Sequence, residues 1–274
     1  MDNPALDYIV NPEKNETITV DGVVYRRLCI RTHVITDADN ICEVAQKYAG
    51  PLLQEGDILF ITEKAVACTQ RRAIPLEDIH PRPLARFLCK FVLKTPYGIG
   101  LAMPETMEMA LQECGTLKIL FAAFISAIGK LFHKRGWFYK IAGYKAASID
   151  GPCDFTLPPY NHYVVLGPDK PDQAAADIAK TVGHPVAITD INDLAGEILG
   201  TSDASMDRPL LVRILKDNPL GQSSEQTPMG IIRVLQPEPE QADPPRAEVQ
   251  PPQPAEQEPA DLPVQPGEPG EQPA

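Results

Sequence analysis

Four short polar segments of this sequence contain the residue types that bind metal ions and phosphates. Asp150 lies in a Gly-Pro turn within ASIDGPCD, and Asp190 lies near the end of the apolar run PVAITDI. Glu63 and Lys64 follow the apolar run of GDILFIT, and Gln222 lies in the loop NPLGQSSEQTP. Carboxylate and amide oxygens are ligands of Mg²⁺, and lysine binds phosphate as a point charge. The segments would form a metal–phosphate site if they met in the fold.

Each segment, taken alone, also has an ordinary structural explanation. Asp150 before Gly-Pro is typical of an Asx turn, and Asn192 or Asp193 would cap a short helix predicted after the PVAITDI strand. The segment after GDILFIT could be an exposed strand end, and the loop around Gln222 an ordinary polar surface loop. A lone histidine such as His33 is more often structural than functional. Convergence of the segments would therefore decide in favour of a site.

Motifs and charge exclude several function classes. The sequence contains no GxGxxG, no GxSxG and no HExxH, and the Gly-Lys of AIGKLF lacks the earlier glycine of a P-loop. The chain has 25 basic and 37 acidic residues and a net charge of −12. No basic stripe is present that could bind a nucleic-acid backbone, so nucleic acid is excluded as a partner.

The pattern of apolar residues predicts a mixed α/β fold. Extended runs are expected over 22–36, 55–66 and 229–235, and helices over 37–50, 82–93, 104–115 and 206–218. The clearest unit is a β-α-β succession over 157–191, whose two strands should pair in parallel. Ligands of open α/β sheets bind at the carboxyl ends of strands, so Asp190 is expected at the binding edge. Residues 1–20 are predicted to be an irregular arm.

Two segments stand apart in composition. LKILFAAFISAIGKLF (117–132) is too short to span a bilayer, and its helical spacing predicts a helix packed on a core or on a subunit partner rather than on a membrane. Residues 236–274 contain 12 prolines, nine acids and one base, which predicts a disordered tail after a domain spanning 1–235. The first residues do not have the pattern of a signal peptide, and the six cysteines form no CxxC pair. We therefore expect a reduced, cytoplasmic protein without a membrane span.

The ordered set of segments resembles the coenzyme F420-0:γ-glutamyl ligase family. The matching pieces, spread over residues 25–235, are IRTHVIT, EGDILFITEKAV, ASIDGPCDFTLPPYNHYVVLGPDKPDQAA, PVAITDINDLAGEILG and DNPLGQSSEQTPMGIIR. The resemblance implies a γ-glutamyl ligase-like α/β fold and a homodimer. It also implies an enzyme that uses GTP, or ATP, with Mg²⁺ or Mn²⁺ to join the amine of an amino acid such as glutamate to a small-molecule carboxylate through an acyl phosphate.

The resemblance further implies roles for individual residues. The metal ligands would be Asp150, Asp190 and Gln222. The nucleotide contacts would be Thr32, His33, Val34, Ile35, Glu63 and Lys64.

The sequence departs from the family pattern at three places near these residues. Around Asp150 the family's GIDxSN becomes SIDGPC. Cys68 stands where the family typically has a second lysine, and Ile191 replaces a threonine that follows the metal aspartate. The departures indicate a divergent member, whose substrate need not be the deazaflavin. A non-catalytic nucleotide- or metabolite-binding homologue is the alternative, and a membrane-associated scaffold built on 117–140 is a weaker one.

Overall fold

The computed structural model describes residues 8–92, 100–132, 136–154, 156–192, 196–221 and 224–235, all within one structural unit, Met1–Gln236. The strands are Tyr8–Ile9 (β1), Thr17–Val20 (β2), Val23–Ile30 (β3), Ile58–Thr62 (β4), Ala73–Pro75 (β5), Tyr163–Val165 (β6), Val186–Ile191 (β7), Gly196–Thr201 (β8) and Met229–Leu235 (β9). The α-helices are Ile41–Tyr48 (α1), Glu63–Thr69 (α2), Pro83–Leu88 (α3), Pro104–Glu113 (α4), Thr116–Leu131 (α5), Trp137–Ala142 (α6), Tyr144–Ala147 (α7), Pro171–Val182 (α8) and Arg208–Leu215 (α9). The predicted mixed α/β class is confirmed, and the predicted tail lies outside the described residues.

A seven-stranded mixed sheet forms the centre of the fold. Its order is β1-β3-β9-β4-β7-β8, with β2 paired to β3, while β5 and β6 form a separate two-stranded sheet. Strands β4 and β7 are parallel neighbours, with Thr62 opposite Thr189, and the other pairs of the sheet are antiparallel. Parallel neighbours end at the same edge, so the residues that follow β4 and end β7 lie side by side.

Helices cover both faces of this sheet. Ile61 and Ile188 pack with α1, α2 and α8 in one core cluster, whereas Phe60 and Ala187 pack with α9 in another. The alternation follows from the geometry of a strand, in which successive side chains point to opposite faces. A third core cluster contains residues of helices α3, α4, α5, α6 and α7 and of strand β6.

The helix-end signals of the sequence act as expected. Asn40 caps α1 by accepting a hydrogen bond from the backbone N of Cys42, and Asp207 caps α9 by accepting one from the N of Leu210. Helix α8 begins at a proline and is followed by Gly183, whose φ of 75° is favourable for glycine. The predicted helices over 37–50, 104–115 and 206–218 and the final strand are therefore confirmed.

The predicted parallel pairing within the β-α-β unit is wrong. Strand, helix and strand follow one another as β6, α8 and β7, but β6 pairs antiparallel with β5, and β7 takes β4 as its parallel partner. The three residues of β6 offer little surface, whereas β4 supplies buried Leu59, Phe60 and Ile61. The greater apolar burial explains the partner that β7 adopts.

The short helix predicted after Asp190 is also wrong. Strand β8 returns antiparallel to β7 and places Glu197 opposite Asp190. A Cβ on Gly200 would lie 2.3 Å from the carbonyl carbon of Pro171, so β8 packs its backbone directly against the start of α8. Two glycines also disfavour a helix here, and Asp193 lies outside the described residues.

Three smaller predictions need correction. The predicted strand over 55–66 ends at Thr62, and Glu63 and Lys64 form the first turn of α2. The extended run over 22–36 is a strand only up to Ile30, and the amino-terminal arm contributes β1 and β2 to the sheet. The predicted helix over 82–93 is shorter, since α3 is followed by a 3-10 turn, Cys89–Phe91.

Helix α5 forms where the apolar spacing predicts a helix, but its orientation differs from the expectation. Ile119 and Ala122 are buried, whereas Leu117, Phe121 and Phe124 are exposed, so much of the predicted packing stripe faces solvent in the single chain. Among the described residues no single helix is long and apolar enough to cross a bilayer. Helices α4 and α5 meet that test only as a pair, with a bend of 116° between them.

Candidate functional site

The candidate site lies at the edge where the parallel strands β4 and β7 end. Thr62 ends β4 and caps α2 by accepting a hydrogen bond from the N of Ala65, so the chain turns directly into that helix. This turn places Glu63 and Lys64 beside the end of β7, which carries Asp190. Two of the four polar segments therefore meet because their strands are parallel neighbours.

Asp150 comes to the same place from a distant part of the chain. Its backbone N and O form two hydrogen bonds of 2.9 Å with Val165 at the end of β6, so its position is fixed by a β-bridge. Lys64 Nζ lies 2.8 Å from Asp150 Oδ2. The two side chains are 53 % and 48 % exposed, which leaves the pair accessible to a ligand from solution. Asp150 thus belongs to the site and is not an isolated turn residue.

The charges of this cluster influence one another. Burial, followed by the nearby charges of Asp190 and Asp150, raises the pKa of Glu63 well above its ordinary value. Burial and then the charge of Asp150 raise the pKa of Asp190 as well. Partial desolvation of the half-buried Lys64 would by itself lower its pKa, but the charge and hydrogen bond of Asp150, with the charges of Glu63 and Asp190, outweigh it and raise that pKa. One ammonium is surrounded by three carboxyl groups, so the site favours a further cation.

The donor chemistry of this cluster fits a divalent cation. Oxygen ligands from one or two carboxylates, completed by water and phosphate oxygens, are what Mg²⁺ takes in proteins, and Asp150 with Asp190 would supply them. Among the described residues no three His, Cys, Asp or Glu side chains form a ready-made cluster that could hold a metal ion. Gln222, the third predicted ligand, lies outside the described residues.

The predicted nucleotide-binding run from Thr32 to Ile35 lies close to this cluster's helix but does not touch its carboxyl groups. Within the described chain no hydrogen bond or ion pair joins the run to them. Thr32 exchanges hydrogen bonds with Gln226, since its N donates to the Gln226 O and its O accepts from Gln226 Nε2. Ile35 packs in the same core cluster as Ala65 of α2, and its O accepts a hydrogen bond from Tyr160.

His33, the titratable member of that run, is held by its neighbours. Its Nδ1 lies 3.0 Å from the hydroxyl of Tyr48, and its Nε2 lies 3.0 Å from Asp39 Oδ1. Both ring nitrogens are therefore engaged within the chain. This arrangement agrees with a structural role for His33.

Two residues near the cluster have no signal in the sequence pattern. Tyr144, at the start of α7, donates a hydrogen bond from its hydroxyl to Glu63 Oε2 at 3.2 Å. Burial, followed by the charge of Glu63, raises the pKa of this tyrosine, so it stays a donor. Glu197 lies opposite Asp190 across the β7–β8 pair and contributes to its raised pKa. The sequence would have indicated Glu197 only if β7 and β8 had been recognised as an antiparallel hairpin.

Two of the three departures from the family pattern, Cys68 and Ile191, lie outside the carboxyl groups of the cluster. Cys68 is buried, and burial raises the pKa of its thiol to about 11. Cys68 lies one helical turn after Lys64 on α2, and the charge of Lys64 acts on its thiol. Ile191 packs against the cluster beneath α9. Neighbouring side chains on a strand point to opposite faces, so Ile191 points away from Asp190.

Glu63→Gln should stabilise the metal-free protein increasingly as pH rises. The raised pKa of Glu63 means that the folded state holds this proton longer than the unfolded state does. The wild-type protein therefore loses stability as pH rises from the ordinary glutamate range through the raised pKa, and the neutral amide avoids that loss. We expect a gain on the order of 1 kcal/mol or more at pH 8 and little at pH 4.

Urea unfolding in the presence of a chelator measures this difference. The exposed Glu55→Gln is the matched control, for which we expect no pH-dependent gain. An equal gain for Glu63→Gln at both pH values would contradict the assignment of a raised pKa to Glu63.

Comparison with known proteins places these segments in a wider context. A family model described as F420-0:Gamma-glutamyl ligase matches residues 29–191. That range contains Glu63, Lys64, Asp150 and Asp190. Among curated proteins, the coenzyme F420:L-glutamate ligase of Methanopyrus kandleri is 25 % identical over 244 residues, which cover 77 % of this chain and 87 % of that protein.

Proposed function

Because this chain belongs to the F420-0:γ-glutamyl ligase family, we propose that it is a ligase that forms an amide between a small-molecule carboxylate and the amine of an amino acid such as glutamate. The proposal includes GTP, or ATP, as co-substrate and Mg²⁺ or Mn²⁺ as cofactor. The relative from Methanopyrus kandleri is named a coenzyme F420:L-glutamate ligase, which supports glutamate as the amine. A homodimer, which the resemblance implies, and a cytoplasmic location, which the cysteine usage predicts, are part of the same proposal.

The observation that carries this proposal is the meeting of Glu63, Lys64, Asp150 and Asp190 at one sheet edge. The four residues come from three segments that are far apart in the sequence, and each segment alone has a simpler explanation. Their convergence gives a partly exposed lysine among carboxyl groups whose charges repel one another. Phosphoryl transfer needs such a place, because its transition state is stabilised by positioning and by cations.

The chain's own residues would divide the work as follows. Lys64 would place a positive charge against the phosphate oxygens of the nucleotide, after exchanging its contact with Asp150 for them. Asp150 and Asp190 would hold the divalent cation, which when bound offsets phosphate charge and orients the nucleotide. Glu63, buried and hydrogen-bonded to Tyr144, would fix the first turn of α2 and so the position of Lys64.

No nucleophilic side chain is required for this chemistry. The carboxylate of the substrate attacks the γ-phosphate, an acyl phosphate forms and the nucleoside diphosphate leaves. The amine then attacks the acyl carbon, and phosphate is released as the amide forms. Most of the rate gain comes from positioning and electrostatics, so the lack of a catalytic triad is compatible with an enzyme.

The departures at Cys68 and Ile191 support a second candidate, a non-catalytic homologue that binds nucleotide or a metabolite. Two measurements separate the candidates. Calorimetry with GTP and ATP, each with Mg²⁺, Mn²⁺ or chelator, tests binding. Phosphate release in the presence of F420-0 or other carboxylic acids and L-glutamate tests turnover. Metal-dependent binding with turnover supports the ligase, binding without turnover supports the homologue, and no binding with metal present contradicts both.

Lys64→Met should weaken nucleotide binding and strengthen the binding of a metal ion by Asp150. We expect nucleotide affinity to fall about tenfold because a phosphate contact is lost. The affinity for Mn²⁺ alone should rise severalfold because Asp150 no longer pairs with an ammonium. Calorimetry measures both. The control is Lys180→Met, which removes an exposed lysine paired with Asp177 on α8 and should change neither affinity. Unchanged nucleotide and metal affinities in Lys64→Met would remove this lysine from the proposed site.

A further inference from the structure

An extended apolar surface lies on the helical part of the fold, outside the candidate site. Five of the eight phenylalanines of the chain are exposed among the described residues. All five lie on α3, on α5 or in the turn that follows each of these helices. We define the phenylalanine surface by Phe87, Phe91, Leu117, Phe121, Phe124 and Phe132, which are between 57 % and 84 % exposed.

The two elements that form this surface are joined. Lys130 Nζ, near the end of α5, donates a hydrogen bond of 3.0 Å to the backbone O of Phe91. The rings of Phe87 and Phe91 contact each other edge to face, with centroids 5.1 Å apart. Both elements also bury residues in the same core cluster, Ala85 from α3 and Ile119 from α5. The exposed phenylalanines are therefore carried by a packed framework.

Packing of the core does not need the exposed side of α5. The helix already fills the core with Ile119 and Ala122, and the spacing of three and four residues puts Leu117, Phe121 and Phe124 on its opposite side. Fully burying one such side chain contributes about 1.5–3 kcal/mol, so leaving them in water is costly. Contiguous apolar surface of this kind marks a place of interaction.

The charges beside the surface indicate which partner it fits. Within 79–92 and 115–132 the sequence has no acidic residue, although the whole chain has a net charge of −12. The exposed arginines and lysines there are Arg82, Arg86, Lys90, Lys118 and Lys130. Arg82 pairs with Glu108 of α4, whereas the other four form no ion pair with another described residue. Lys118 and Lys130 lie near the two ends of the exposed stripe of α5.

We propose that the phenylalanine surface binds the surface of an anionic lipid bilayer, with α5 lying in the plane of the interface. Phenylalanine and leucine on one side of a helix, with lysines near its ends that form no ion pair with another described residue, are the features of helices that lie on membranes. Each lysine near an anionic bilayer adds attraction. Symmetric pairing of two copies through this surface would instead bring the unpaired cations of one copy against those of the other.

The sequence alone favours a packed helix here, because an apolar stripe has the same spacing whichever way it faces. In the structure the stripe is exposed, four cations beside it form no ion pair with another described residue, and the segments 79–92 and 115–132 contain no acid. These observations favour a membrane surface over a packed helix. Since the chain as a whole is strongly negative, attraction to an anionic bilayer has to come from this local surface, which fixes the orientation of the bound protein.

Vesicle co-sedimentation of the full chain tests the proposal. The probes are vesicles of phosphatidylcholine alone and vesicles of phosphatidylcholine mixed with phosphatidylglycerol. We expect binding to the mixed vesicles that weakens as salt is raised and little binding to the neutral ones. Phe121→Ser/Phe124→Ser and Lys118→Glu/Lys130→Glu should each weaken partitioning at least about tenfold.

Matched variants elsewhere keep the test specific. Val24→Ser/Val234→Ser removes exposed apolar residues of the sheet, and Lys47→Glu/Lys180→Glu reverses exposed charges of α1 and α8. These controls should bind the mixed vesicles as the wild type does. All altered side chains are exposed, so thermal unfolding should show retained folds.

Three results would overturn the proposal. They are no sedimentation with mixed vesicles, equal sedimentation with both vesicle types, and binding that the surface variants share with the wild type. Self-association that Phe121→Ser/Phe124→Ser abolishes, without vesicle binding, would assign the surface to a second copy of the chain. The ligase assay is independent of these results, since none of the altered residues belongs to the candidate site.

Discussion

Replacing Asp190 by asparagine should abolish metal-dependent nucleotide binding and lower ligase turnover by at least about a hundredfold, with the fold retained. Asp190 ends β7 beside Glu63 and Lys64, and its pKa is raised by burial and by the charge of Asp150. The amide keeps the shape of the side chain but removes the charge that would hold a divalent cation. Calorimetry with Mn²⁺ and GTP measures the first effect, and phosphate release measures the second.

The stability of Asp190→Asn distinguishes loss of a site from loss of the fold. Removing one of several repelling carboxylates should leave the metal-free protein as stable as the wild type, or more stable, which is typical of functional sites. Asp203→Asn, an exposed aspartate in the turn between β8 and α9, is the matched control and should keep full binding and turnover. Wild-type turnover in Asp190→Asn would refute the proposed role of Asp190.

Arg233→Met should produce the largest loss of stability, about 3–5 kcal/mol of the free energy of unfolding. The guanidinium of Arg233 forms hydrogen bonds of 2.9 and 2.7 Å with the two carboxylate oxygens of Asp57, which is 1 % exposed, and one of 3.0 Å with the O of Leu52. The methionine would fill similar space but would leave Asp57 buried with an unpaired charge. A loss of this size is a large part of the total stability of a domain.

Arg213→Met is the control for this prediction. Arg213 also pairs with an aspartate, at 2.9 Å from Asp21, but the two side chains are 49 % and 65 % exposed. Water screens that pair, so its loss should cost less than about 1 kcal/mol. The double variant Asp57→Asn/Arg233→Met should recover part of the loss because no buried charge remains. Urea unfolding measures all three, and equal losses for the two arginine variants would show that the Asp57 pair is not special.

Several properties of this protein follow from the sequence alone. The alternation of apolar runs with capped helical patterns determines a mixed α/β fold, because caps and periodicity act locally. Helices α1, α4, α8 and α9 begin and end near their caps, prolines and glycine for this reason. The residue types of the polar segments likewise determine what chemistry is available, since oxygen ligands and a lysine keep their character in any fold.

Only the tertiary structure decides which segments meet and which faces are covered. Asp150 reaches Lys64 because β6 holds its backbone, and Asp190 reaches Glu63 because β7 takes β4 as a parallel neighbour. Strand pairing depends on the total burial that distant segments achieve together, which local pattern does not encode. The same reason explains why β8 replaces a predicted helix, and why the apolar stripe of α5, identical in spacing whether packed or exposed, turns toward solvent.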